Sequence, residues 1–178
     1  MHVLGFPLVT RTRLTDLAGT AVRIALAAVW LVSGGVKVAD QIGSAVAVDA
    51  YQVLPAAAVP LVASVLPLLE LALGALLLVG AGTRLAAVVS ALLLVGFVAG
   101  LLQAWARGLS IDCGCFGGGG PVPPGEERYP LVLLRDLGFL ALALWLSVRP
   151  RTLLAVDRIG DAPAEHDDVR HQPAEGTR

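Results

Sequence analysis

No charged residue occurs between Arg84 and Arg107, and only Glu70 interrupts the stretch from Asp49 to Arg84. Runs of this kind constrain the fold more than any other feature of the chain. About 20 apolar residues in a helix cross the roughly 30 Å hydrocarbon core of a bilayer, and both stretches are long enough. The rest of the 178-residue chain agrees. It is 56% hydrophobic and 15% charged, with a mean hydropathy of +0.77, which leaves too little polar surface for a soluble domain. The net charge of −1 carries no basic patch that would hold nucleic acid, so the expected surroundings are a lipid bilayer.

The pattern predicts an all-α, polytopic membrane protein with four transmembrane helices in an antiparallel bundle. A cytoplasmic N-terminal flank covers 1–17, the membrane domain 18–150 and a disordered cytoplasmic tail 151–178. The first helix is expected over 18–38. Arg23 and Lys37 lie near its ends, where long side chains can reach toward water. No small-residue cleavage site follows Arg11 and Arg13, so a cleaved signal peptide is not expected. An amphipathic segment lying at the interface follows. The second and third helices are expected over 60–80 and 85–106, antiparallel across the short link "AGTR". Gly96 and Gly100 have the spacing that permits close helix contact. Gly117 to Gly120 and Pro121, Pro123 and Pro124 argue against regular structure in the 107–129 loop. The fourth helix is expected over 129–148. His166 and His171 fall in the polar tail with no companion ligand set, so no metal site is assigned.

Four spans put both termini on one side. Arg11, Arg13, Arg84, Arg149, Arg151 and Arg158 would lie there, against Arg107 and Arg128 on the other. Six against two places the termini in the cytoplasm of a cell (inner) membrane protein and the 107–129 loop outside. That loop holds the chain's two cysteines, Cys113 and Cys115, and so faces an oxidising compartment.

Two cysteines one residue apart can close a very small disulfide ring, helped by the backbone freedom of Gly114. So small a ring removes little chain entropy, which favours exchange over stapling. Four readings stand open on the residues alone: redox exchange, a static loop disulfide, half of a metal site, or a bridge to another protein. Asp112 beside the pair opposes a lowered thiol pKa, and no Lys or Arg adjoins it in sequence.

Glu70 lies near the middle of the second helix, where an ionised carboxylate costs on the order of 2.5–3.5 kcal/mol. It is expected to be neutral or paired, with Lys37 and Arg135 as candidate partners and Gly74 leaving room on the same face. Such an acid reads either as a proton or ligand site or as a structural ion pair. One buried acid without an internal repeat offers little for a solute carrier.

"SGGVKVAD", Tyr51 with Leu54 and Pro55, "LPLLELALG", "IDCGCFG" and the "LRD" that ends at Asp136 together resemble the methylamine utilisation protein MauE family, within the DoxX-like group of four-helix membrane proteins. The resemblance spans roughly 18–148, and its most specific part is DCGCFG, which brings Phe116 and Gly117 into the site. It implies a bacterial inner-membrane protein that serves the maturation of an exported, disulfide-containing protein. In the namesake role that protein is a methylamine dehydrogenase subunit. The fold is likened to DsbB and vitamin K epoxide reductase, which pass electrons from thiols to quinone with two cysteine pairs. This chain has one pair, so a thioredoxin-like partner would supply the other thiols, and quinone is the one cofactor the likeness brings in. The expected activity is that of a thiol-disulfide oxidoreductase with Cys113 and Cys115 as the redox pair. The alternative is a non-catalytic DoxX-like scaffold subunit of a membrane oxidoreductase complex, with Cys113–Cys115 as a structural disulfide.

Overall fold

In a computed structural model, the structure describes residues 6–150 together with 152, 153, 155 and 156, with side chains from Arg13 onward. His166, His171, Arg151, Arg158 and the side chain of Arg11 lie outside it. The elements are α1 (Phe6–Ala39), α2 (Gln41–Ala50), α3 (Val59–Val79), α4 (Thr83–Ala106), β1 (Ile111–Asp112), β2 (Gly120–Pro121) and α5 (Tyr129–Val148). Four helices are long and apolar enough to cross a membrane: Arg13–Ala39, Val59–Val79, Thr83–Ala106 and Tyr129–Val148. Their outward faces carry residues such as Leu68, Leu92 and Leu134, each more than half exposed, as contact with lipid requires.

Helix α1 starts at Phe6, well before the expected 18, because the polar turns Arg13–Asp16 simply continue it. The segment expected only to lie at the interface is the regular helix α2. Asp40 ends α1 and caps α2, its Oδ1 accepting from the Gly43 N–H at 2.8 Å. Proline in the first turn starts both α3 and α5, where its missing N–H costs no helical bond. Gly80, at φ +75, stops α3, and its N–H returns to the Leu76 carbonyl. The short turn makes α3 and α4 neighbours, yet each packs more extensively on another helix, α3 on α1 and α4 on α5.

Close approach occurs at glycines other than the expected ones. A Cβ on Gly34 would lie 2.8 Å from the Pro67 carbonyl oxygen, and one on Gly74 would lie 2.7 Å from the Leu31 side chain. Gly74 therefore admits Leu31 and makes no room for a partner of Glu70. Gly96 meets no neighbour, and Gly100 meets the Tyr51 ring, so the α4 spacing lines a cavity and not a helix contact. One core cluster joins all four spanning helices through Leu26, Trp30, Leu77, Leu94 and Leu146. A second cluster, built on Leu101, Ile111 and Tyr129, seats the cysteine loop at the end of the bundle where α4 stops and α5 begins.

Arg23 does not reach water. It is 2% exposed, and its guanidinium donates to the carbonyls of Leu77, Leu78 and Leu153. It thereby satisfies the open C-terminal carbonyls of α3 and ties them to the segment after α5.

Candidate functional site

The cysteine loop begins where α4 ends at Ala106. Despite its glycines and prolines it forms a small antiparallel hairpin, Ile111 opposite Pro121 and Asp112 opposite Gly120. The glycines let backbone lie on backbone. At Gly119, φ +100, a Cβ would be 2.5 Å from the Gly114 Cα and 2.8 Å from the Ala47 Cβ of α2. The loop is thus pressed onto α2. Gly114 itself takes φ +68, a left-handed conformation that holds the Cys113 and Cys115 Cα atoms 5.5 Å apart. The two sulfurs are joined as a disulfide.

Beside the disulfide lies a cavity of about 270 Å³. Leu66, Phe97 and Leu101 give it apolar walls; Lys37, Tyr51 and Asp136 are its main polar side chains, and Cys113, Gly114 and Cys115 close one side. Each polar group is held by a neighbour. Lys37 does not extend to water but turns back to Glu70, Nζ to Oε1 2.5 Å, with Glu70 fully buried. Lys37 Nζ also donates to Ser33 Oγ at 3.0 Å and lies 5.5 Å from the Phe97 ring centre. Ser33 Oγ is 3.0 Å from Glu70 Oε2 and 2.7 Å from the Cys115 carbonyl oxygen, so the ion pair adjoins the loop.

Arg135, the other candidate partner of Glu70, is engaged elsewhere. Its Nε and Nη2 both lie 2.9 Å from Asp136 Oδ1, its guanidinium carbon sits 4.9 Å from the Phe116 ring centre, and Nη2 points at Cys113 Sγ from 3.6 Å. Asp136 is buried, and its carboxylate and the two sulfurs lie within 4.8 Å of one another. Asp112 turns away from the sulfurs to accept the Cys113 N–H at 2.8 Å, and Gly117 forms a bridge with Cys115 and packs on Val36. Tyr51 donates to the Cys113 carbonyl at 3.3 Å. Its hydroxyl is pushed up to about 12, by burial first and then by the charges of Asp136, Tyr129 and Asp112, so it remains a neutral donor.

Residues far apart in sequence therefore converge: Ser33 and Lys37 from α1, Tyr51 after α2, Glu70 from α3, the disulfide, and Arg135 with Asp136 from α5. Ser33 and Tyr51 are the polar groups that the residue-level reading did not place at the site. The serine had a signal, since it lies one turn before Lys37 on the same helix face. Compared with known families, residues 15–149 match the one described as methylamine utilisation protein MauE. The chain belongs to the MauE family. No curated protein and no solved structure matches it. The MauE match includes every residue of the cavity wall named above and ends within one residue of the last spanning helix.

Proposed function

We propose that this MauE family member is a thiol-disulfide oxidoreductase of the bacterial inner membrane. Its Cys113–Cys115 disulfide exchanges, on the extracytoplasmic side, with an exported protein or a thioredoxin-like partner that matures one. The carrying observation is that the disulfide forms the side of a cavity onto which Lys37, Tyr51 and Asp136 converge. A loop staple needs neither a cavity nor buried charges beside it. The arginine asymmetry of the flanks supports the placement of the loop outside. The quinone implied by the likeness to DsbB suits the apolar walls, with Lys37 as the donor that would hold it; when bound it would accept the electrons of the dithiol.

The scaffold reading has one observation in its favour: the loop is packed down on α2 through Gly114 and Gly119, as a stapled loop would be. A redox titration of the purified protein, read by thiol alkylation, separates the two. Reduction between about −120 and −270 mV supports exchange, whereas resistance below about −300 mV is the behaviour of a structural disulfide and ends the proposal. Under the scaffold reading, replacing either cysteine by serine leaves the activity of the partner complex intact.

A further inference from the structure

The two sulfurs of the pair have unequal surroundings. Arg135 Nη2 lies 3.6 Å from Cys113 Sγ, while no basic group donates to Cys115 Sγ among the described residues. The guanidinium is fixed in that position, with Asp136 on one side at 2.9 Å and the Phe116 ring on another at 4.9 Å. An arginine held on two sides loses little freedom by also facing a sulfur.

We propose that Arg135 gives the exchange a direction: the incoming thiolate attacks Cys115, and Cys113 leaves as the thiolate. This rests on the exchange function proposed above and assigns the roles within it. The partner's thiolate forms a bond to Cys115 Sγ. The Cys113–Cys115 bond breaks, and its electron pair stays on Cys113 Sγ. One negative charge enters and one remains, now beside the guanidinium. A leaving thiol whose thiolate is stabilised leaves faster. In the second step a second thiol of the partner attacks the mixed disulfide at the partner's own sulfur, so that the partner is oxidised to a disulfide, Cys115 leaves as a thiolate and both cysteines are reduced.

Other charges around Cys113 are accounted for. From its own loop, Asp112 faces the Cys113 N–H. From α5, the Asp136 carboxylate lies within 4.8 Å of both sulfurs and bears on Cys113 and Cys115 alike. From α1 and α3, Lys37 and Glu70 pair with each other. After α2, Tyr51 is neutral. The α4 residues on the cavity, Gly96, Phe97, Gly100 and Leu101, carry no charge. Arg135 is thus the charged group that distinguishes the two sulfurs, since it donates to Cys113 as well as to Asp136.

The test uses the full chain in nanodiscs. Each single-cysteine variant, Cys115→Ser or Cys113→Ser, is reduced, and its iodoacetamide alkylation rate is followed against pH. Cys113 is expected to reach half-maximal rate at a lower pH than Cys115, each unit of difference being about tenfold in thiolate at neutral pH. Arg135→Gln is expected to raise the midpoint of Cys113 and leave that of Cys115 in place, and Arg135→Lys to restore part of the difference. A lower midpoint for Cys115, or equal midpoints, overturns the assignment, and that comparison needs no arginine variant to fold. Separately, the oxidised native protein is treated with reduced glutathione and quenched with N-ethylmaleimide. Glutathione on Cys115 with maleimide on Cys113 supports the direction, and the reverse overturns it. If no adduct forms at all, the exchange function fails, and the alkylation midpoints still decide the role of Arg135.

Discussion

A carboxylate at full burial within a bundle of hydrocarbon is tolerated here because a cation was folded in with it. Glu70 has Lys37 Nζ at 2.5 Å and Ser33 Oγ at 3.0 Å. Removing one partner of a buried pair costs far more than removing both. Lys37→Met is therefore expected to lower stability by about 3–5 kcal/mol, and Lys37→Met with Glu70→Leu to recover most of that loss. Thermal unfolding in nanodiscs checks it: if the double variant melts no higher than the single one, the pair is not what matters there. Tyr51 makes a different prediction. Its pKa is about 12 in the folded protein and 10.0 when unperturbed. Below pH 10 both states hold the proton. Between pH 10 and 12 the unfolded chain releases it and the folded one keeps it, so stability falls with rising pH by about 2–3 kcal/mol. Tyr51→Phe is expected to flatten that fall, and an unchanged alkaline slope in chemical unfolding would contradict the burial of the hydroxyl. The Glu70–Lys37 pair was legible from residue types and depth along two helices. The meeting of Arg135 with Cys113 was not, because it depends on how the 107–129 loop folds back over α5, and no spacing in the sequence encodes that.

Among the elements, α2 and the cysteine hairpin depend on each other. α2 is only ten residues long, too short to be stable alone in water, and its buried side is made of Ser44, Ala47 and Ala50. These small residues are what let the loop backbone reach it. The four spanning helices were readable because hydrophobic length alone specifies them. α2 read as an amphipathic interfacial segment without an assigned helix because its pattern is weak until a neighbour covers it. The hairpin was masked by glycines and prolines that in isolation signal irregular chain. Ala47→Leu tests the contact directly. Overpacking costs about 1–3 kcal/mol where the larger side chain meets the loop backbone, and here that backbone is Gly114 and Gly119. The expected result is a lower melting temperature together with faster reduction of Cys113–Cys115 by dithiothreitol. An unchanged reduction rate would mean that the loop is not held in place by α2.

For the molecule as a whole, the two ends of the bundle are closed by different means. At one end Arg23 gathers the carbonyls of Leu77, Leu78 and Leu153, and at the other the hairpin covers α2 and the cavity. The arginines of the flanks predict that the Arg23 end faces the cytoplasm. With Cys113→Ser leaving Cys115 as the single thiol, a membrane-impermeant maleimide is expected to label it in intact cells after mild reduction. Labelling only after lysis would reverse the orientation. Composition made membrane insertion plain from the start, whereas the asymmetry of the two ends had to await side-chain placement: Arg23 read only as a residue reaching for water and turned inward, while Lys37 had also been a candidate partner of Glu70 and took that role.

One hydroxyl sits at the junction of these parts. Ser33 Oγ accepts from Lys37 and stands within bonding distance of both Glu70 and the Cys115 carbonyl. A serine has a single hydrogen to give. Glu70 and the loop therefore compete for it. Fastening the loop to the bundle and solvating the buried acid thus draw on the same hydrogen, and a change at either is felt at the other.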